Sequence, residues 1–218
     1  DTMAEYAKEI DALAHRLLPL LAQALDLPAT DTTFVDGFSG SNSTLRLVHY
    51  PDPAKRGVPN GDVGIAAHTD NSIFTFIAQQ DKPGLEICMP DGRWLRPQTM
   101  PGTILVNAGD MLRRWTNHRW MSALHRVVNL PGQERFSVPL FWTPRADYVM
   151  EPLDSCSSGD NPPRYGPLTP AAFMIGWYAG EYTTMRTLTP AQVKAAEIDA
   201  ASGGFVGVKP AETSLDDK

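Results

Sequence analysis

His68-Thr69-Asp70 is the short pattern in this 218-residue chain whose side chains could share a cation. In an extended strand residues i and i+2 project from one face, so an imidazole nitrogen and a carboxylate oxygen two positions apart can reach the same ion. Such a pair is common by chance, and two groups alone do not fix a metal. His125 offers a third ligand, in a second β-like run, Ala123-Leu124-His125-Arg126-Val127-Val128. Two imidazoles and one carboxylate on three corners of an octahedron make the facial triad that leaves positions open on Fe(II). The other histidines have plainer readings: His15 falls on an amphipathic helix, His49 alternates out of phase in its strand, and His118 follows Asn117 in a turn.

Arg135-Phe136-Ser137 repeats the i, i+2 spacing shortly after His125. A guanidinium fork beside a hydroxyl matches the two oxygens of a carboxylate, and arginine keeps its charge at any working pH. The pair marks a place for a ligand carboxylate. Other chemistries are missing. The chain has no G-x-x-x-x-G-K-[ST] loop, no G-x-G-x-x-G and no H-E-x-x-H, and Gly37-Phe38-Ser39-Gly40-Ser41 lacks the last glycine of a G-x-S-x-G elbow. The sequon Asn42-Ser43-Thr44 reads as coincidence in a chain without a secretion signal.

The elements that must hold these groups are mostly strands. Between Leu45 and Glu151 short runs rich in Val, Ile, Thr, Phe and Trp alternate with Gly, Pro, Asn and Asp clusters. Strands are predicted at Leu45–Tyr50, Gly64–His68, Ile73–Ala78, Leu85–Met89, Thr103–Asn107, Leu124–Val128 and Phe136–Trp142, with a hairpin turn at Pro90-Asp91-Gly92. Many short strands with few intervening helices favour an antiparallel sandwich or jelly roll over a parallel sheet. Ahead of them, Met3, Tyr6, Ile10, Leu13, Leu17, Leu20 and Leu21 form an apolar stripe predicting one helix over residues 2–26, within a supporting segment 1–30. Thr2 and Glu5 fit a capping box, and Pro28 cannot continue the helix. Helices are predicted again at Ala171–Met185 and Pro190–Ala200, within 165–200, and the last dozen residues look frayed. The first of these, with Phe173, Trp177, Tyr178 and Tyr182, reads equally as a lid over the barrel mouth or as an apolar stripe docked on the sheet. Phe38, Phe76, Trp142 and Tyr148 read as core more readily than as pocket.

Composition sets the class. Hydrophobic residues at 42% and charged residues at 20% describe a folded, soluble protein, expected to form one domain over 1–218 and to be a monomer by default. A net charge of −6 with no basic run makes nucleic acid an unexpected partner, and no apolar run approaches a membrane span. Only Cys88 and Cys156 are present, with no Cys-x-x-Cys, so a reducing cytoplasm is the expected home. The chain opens at Asp1 directly into a helix, which suggests an upstream segment cut away or lying outside the numbering.

Taken together, Leu45-Arg46-Leu47-Val48-His49-Tyr50-Pro51, Ala67-His68-Thr69-Asp70, Gly84-Leu85-Glu86-Ile87, Pro101-Gly102-Thr103-Ile104-Leu105-Val106-Asn107-Ala108-Gly109-Asp110, His125-Arg126-Val127 and Arg135-Phe136-Ser137 resemble, in order and spacing, the isopenicillin N synthase-like group of Fe(II)/2-oxoglutarate-dependent oxygenases. The resemblance covers roughly residues 1–185. It implies a mainly β fold with flanking helices: a double-stranded β-helix (jelly roll) core with the long N-terminal helix packed outside. It implies that His68, Asp70 and His125 hold Fe(II), that Arg135 and Ser137 bind the distal carboxylate of 2-oxoglutarate, and that the Tyr50 hydroxyl donates near this cosubstrate. The implied activity is oxidative decarboxylation of 2-oxoglutarate by O2 to succinate and CO2, coupled to hydroxylation, desaturation or cyclisation of a small-molecule metabolite, as in secondary metabolism. Two alternatives stand beside it: a 2-oxoglutarate-independent iron oxidase of the isopenicillin N synthase type, whose substrate carboxylate sits on the same Arg-x-Ser, and a non-catalytic metal-binding jelly roll. The chain departs from the family at Val48, where many relatives carry Asn, and in lacking the usual family region ahead of the long helix.

Overall fold

The computed structural model describes residues 1–58, 60–178, 189–192 and 194. Helix α1 (Thr2–Ala24) is capped by Asp1, whose Oδ1 accepts from the Met3 N–H at 3.2 Å, so the cap lies one residue before the expected Thr2. A carboxylate at the cap both accepts the orphan N–H and complements the positive end of the helix dipole. The helix ends at Ala24, short of 26, because Asp26 turns to φ 57°, in the left-handed region, before Pro28 is reached. Its buried stripe is also shifted: Ile10, Ala14, Leu18 and Leu21 face inward, while Leu20 is 60% exposed. Ala14, with no exposed surface, lets the helix approach its neighbours closely. The four-residue steps were legible, but the phase is set by that close approach rather than by leucine content.

The strands close as a jelly roll of two facing antiparallel sheets. The chain runs α1, α2 (Thr33–Phe38), β1 (Asn42–Leu45), β2 (Val48–Tyr50), β3 (Asp62–His68), β4 (Phe74–Gln79), β5 (Leu85–Cys88), β6 (Trp94–Leu95), β7 (Leu105–Ala108), α3 (Asp110–Trp115), β8 (His125–Asn129), β9 (Arg135–Thr143) and α4 (Pro170–Tyr178). The larger sheet has the order β1-β9-β4-β7, with β2 also paired to β9, and the smaller has the order β3-β8-β5-β6. The strand expected at Leu45–Tyr50 is thus two strands on the same partner, broken at Arg46 and Leu47. The expected hairpin joins β5 to β6, with the Met89 N–H donating to Arg93 O at 2.8 Å and Gly92 at φ 85°.

Period-2 alternation on the larger sheet divides the interior. Leu140 and Trp142 of β9 and Phe76 of β4 face α1 and, with Phe38, Met111, Leu112 and Trp115, form the main apolar core. Trp142 donates its Nε1–H to Asp11 Oδ1 at 2.8 Å, tying that core to α1. Phe38, Phe76 and Trp142 are fully buried there and Tyr148 packs against it, so all four aromatics belong to the core. The opposite face of the same strands looks into the space between the sheets, where Tyr50, Ile77, Leu85 and Val127 make a second, smaller cluster. That space is the cavity described next.

Helix α4 ends the described part of the expected Ala171–Met185 helix; 179–185, with Tyr182, lie outside the described residues. Of the expected Pro190–Ala200 helix, residues 190–192 and 194 are helical, and the remainder lies outside the described residues, as do the last dozen.

Candidate metal centre

Strand pairing brings the two imidazoles together. β3 pairs with β8 so that His68 and His125 are register partners, and their ring centroids lie 4.3 Å apart. Asp70 reaches them by a different route from the one expected. β3 stops at His68, so Asp70 sits in the bend after it, where the chain crosses to the larger sheet and the Ile73 N–H donates to Trp142 O at 3.0 Å. Side-chain alternation along one strand therefore does not explain its direction. Its backbone is held by the Asp110 N–H, which donates to Asp70 O at 2.7 Å. Thr69, pointing the other way, donates its hydroxyl to Asp110 Oδ2 at 3.0 Å. Gly109 makes this approach possible: a Cβ there would lie 2.2 Å from Ser72 O and 2.9 Å from Asp70 O.

The carboxylate is aimed by two neighbours. Asp70 Oδ2 accepts from Thr75 Oγ1 at 2.6 Å and from Asn107 Nδ2 at 2.8 Å, and Thr75 and Asn107 are themselves register partners of β4 and β7. Oδ1 is left facing both rings, 3.8 Å from His68 Nε2 and 3.8 Å from His125 Nε2. The three donor atoms lie within 4.8 Å of one another. Thr75 and Asn107 were not singled out in the sequence; their one signal is a polar residue on the inward phase of the apolar runs Phe74-Thr75-Phe76 and Val106-Asn107-Ala108.

The rings are oriented alike. His68 Nδ1 lies 2.8 Å from Ala66 O, and His125 Nδ1 lies 2.8 Å from Ala123 O. A carbonyl can only accept, so each Nδ1 carries the proton and each Nε2 presents a lone pair toward Asp70. Burial and the neighbouring His125 push the His68 pKa down to about 4, against the pull of Asp70 and the Ala66 carbonyl, so its ring is neutral at ordinary pH. Burial alone raises Asp70, but the two imidazoles and the bonds from Thr75 and Asn107 outweigh it and hold the carboxyl below its usual value. Two imidazole Nε2 atoms and one carboxylate oxygen fit a divalent iron.

The three candidate ligands line a cavity of about 200 Å³ together with Tyr50, Arg135, Ser137 and, from α4, Trp177. Arg135 is 4% exposed. Its Nη2–H donates to Gln79 Oε1 at 2.7 Å, while Nε and Nη1 are buried without a partner. Burial lowers the Arg135 pKa and Tyr50, whose ring centroid is 5.1 Å from Cζ, opposes that. Gly84 makes room for the arginine stem, since a Cβ there would come 3.1 Å from Arg135 Cδ. Ser137 is buried two residues along β9, opposite Val48 of β2. Unpartnered buried donors are costly, and two on one guanidinium fit a carboxylate. All six expected residues thus line one cavity. The remaining histidines do not: His15 bonds Phe38 O at 3.1 Å, His49 stacks on Phe136, and His118 contacts Arg113 and Tyr165.

Comparison with known proteins agrees with this geometry. A sequence profile of the 2OG-Fe(II) oxygenase superfamily matches residues 41–144, the stretch that carries the candidate ligands and the Arg-x-Ser pair. The chain belongs to that superfamily. The chain is 34% identical over 207 residues to the 2-oxoglutarate-Fe(II) type oxidoreductase hxnY of Emericella nidulans, covering 93% of this chain and 58% of the relative. It is 38% identical over 167 residues to a 2-oxoglutarate-Fe(II) type oxidoreductase of Aspergillus fumigatus, covering 76% of this chain and 48% of that one. It is similar to the crystal structure of a full-length Neurospora crassa protein in complex with α-ketoglutarate and thymine, with a TM-score of 0.74 and 26% identity over 83% of this chain and 56% of that one. A Caulobacter crescentus protein assigned to the 2OG-Fe(II) oxygenase family matches with a TM-score of 0.72 and 32% identity, covering 81% and 57%. The chain thus spans about half the length of the relatives it matches. Among the described residues no helix is long and apolar enough to cross a membrane.

Proposed function

We propose that this chain carries the catalytic centre of an Fe(II)/2-oxoglutarate-dependent oxygenase acting on a small-molecule metabolite. The observation that supports it best is the meeting, in one cavity, of the His68, Asp70 and His125 donors with a buried arginine whose Nε and Nη1 have no hydrogen-bond partner. His68 and His125 would hold the iron through Nε2 and Asp70 through Oδ1. When bound, iron and the keto acid supply the oxidising power: O2 converts 2-oxoglutarate to succinate and CO2, and a substrate C–H bond is hydroxylated, desaturated or used for ring closure. Arg135 would receive the far carboxylate, with Ser137 beside it on β9 and the Tyr50 ring over the guanidinium. Thr75 and Asn107 keep Asp70 from rotating away from the metal position. Ile65, Ile77, Leu85 and Val127 wall the site with apolar surface, which limits water and strengthens the charged contacts. Val48, opposite Ser137, offers no polar contact to the cosubstrate, which rests more heavily on Arg135. Both cysteines are free and buried, in keeping with a reducing cytoplasmic compartment.

The test is succinate formation from 2-oxoglutarate by purified protein with and without Fe(II), under air. Iron-dependent succinate that disappears in His68→Ala, Asp70→Ala and His125→Ala is the expected result. Full activity in all three variants overturns the ligand assignment. O2 uptake on a substrate without succinate points instead to a cosubstrate-free oxidase.

A further inference from the structure

The cavity holds a second arginine that the proposed reaction leaves unused. Arg46, Val48 and Tyr50 line it at two-residue spacing, beside Arg135, Ser137, Pro139 and Phe141 of β9. Pairing sets Tyr50 opposite Arg135 and Val48 opposite Ser137, and the Arg46 N–H donates to Pro139 O at 2.9 Å. The two arginines therefore stand four rungs apart on one wall, about 13 Å along the strand at ~3.3 Å per residue. Arg135 is at the closed end and Arg46 at the exposed end.

Arg46 is exposed, yet its position is fixed. Its backbone is pinned in the break between β1 and β2, and its Cζ sits 4.9 Å from the Phe141 ring centroid. Among the described residues it pairs with no carboxylate. Trp177 of α4 lines the same cavity, which adds a second aromatic ring to its lining. A guanidinium laid on one ring in a cavity lined by another suits a flat ligand with an anionic oxygen. A cosubstrate bound at Arg135 leaves this end for the molecule to be oxidised.

We infer, building on the oxygenase reading, that Arg46, Phe141 and Trp177 form the anchoring subsite of the primary substrate, and that this substrate is a small planar carboxylic acid. Its carboxylate pairs with Arg46 and its ring packs against Phe141 and Trp177. Its oxidisable carbon lies on the side facing His68, Asp70 and His125.

The experiment compares acids with their uncharged amides on the full chain loaded anaerobically with Fe(II) and 2-oxoglutarate. The probes are benzoate and benzamide, phenylacetate and phenylacetamide, and cinnamate and cinnamamide, with binding read by calorimetry. At least one acid is expected to bind about tenfold or more tightly than its amide, the scale of one charge-assisted hydrogen bond. In Arg46→Gln that preference should shrink to about twofold, and Arg46→Lys should keep part of it, with 2-oxoglutarate affinity unchanged in both. Equal binding of acids and amides by the wild type, an acid preference that survives Arg46→Gln, or acids that bind only by displacing 2-oxoglutarate would each overturn the assignment. So would a wild type that binds no acid of the panel. The comparison is repeated without 2-oxoglutarate, so failure of the oxygenase reading, seen as no iron-dependent 2-oxoglutarate binding, is a separate result.

Discussion

Replacing Arg135 with methionine separates a ligand-binding arginine from a structural one. In the free protein its Nε and Nη1 are buried and unpartnered, so the charge is under-compensated and an apolar side chain of similar length costs little. Bound 2-oxoglutarate changes the sum, because two charge-assisted hydrogen bonds form at about 1.5–3 kcal/mol each. Losing both removes about 3–6 kcal/mol, a rise in the 2-oxoglutarate Kd of about a hundredfold or more at 1.4 kcal/mol per tenfold. Calorimetric titration of 2-oxoglutarate into anaerobic, Fe(II)-loaded protein measures this directly. Thermal unfolding gives an independent reading. Cosubstrate at a hundred times the wild-type Kd stabilises the wild type by about 2.7 kcal/mol, and a variant bound a hundredfold more weakly by only about 0.4 kcal/mol. For a domain of this size that gap is roughly 5–9 °C in Tm shift. Without ligand, Arg135→Met should unfold within a few degrees of the wild type. A variant that keeps its 2-oxoglutarate affinity within threefold, or whose ligand-free form loses ten degrees, refutes the reasoning.

Thr75→Val keeps the shape but removes the 2.6 Å bond to Asp70 Oδ2, and is expected to weaken Fe(II) binding about 10–100-fold in a competitive chelator titration while the circular dichroism spectrum is unchanged. In metal-free protein, the lowered His68 pKa of about 4 means the unfolded chain binds more protons than the folded one between pH 4 and 6.5. Stability therefore falls on acidification through that window, by about 1.5 kcal/mol from pH 6.5 to 5 for this group; urea titrations at the two pH values check it, and His68→Gln should flatten the trend. His118, also lowered to about 4 by burial and by Arg113 and Arg164, acts in the same direction. Phe173→Ala should cost about 3–5 kcal/mol in urea unfolding, because Phe173 is 3% exposed in the main core, whereas Trp177→Ala should raise substrate KM with a smaller loss of stability.

What could be read in advance follows from how physical constraints print themselves on a chain. That His68, His125, Arg135 and Ser137 converge in one cavity was legible because candidate metal and carboxylate chemistry restricts residue type, and β spacing restricts position. The strand runs of β3, β4, β5, β8 and β9 were visible because half-buried strands alternate. Asp70 was found for an incomplete reason: its orientation comes from Thr75, Asn107 and the Asp110 backbone, long-range partners that leave no local pattern. Asp110 itself is fully buried, and burial lifts its pKa to about 6 against the pull of Arg113. A lone acidic residue in a Gly-Asp turn gives no hint of that. The phase of α1 depended on where Ala14 could touch the neighbouring core, and the short helices α2 and α3 are too brief to show a period.

Helix α4 has one foot in each compartment. Phe173 is rooted among the residues that make the molecule fold, and one turn later Trp177 looks onto the chamber where reactants would meet. Anchorage and selectivity are thereby divided along a single short rod. Its distal turn can be rewritten, by drift or by an engineer seeking a new guest, while the proximal turn goes on securing the scaffold.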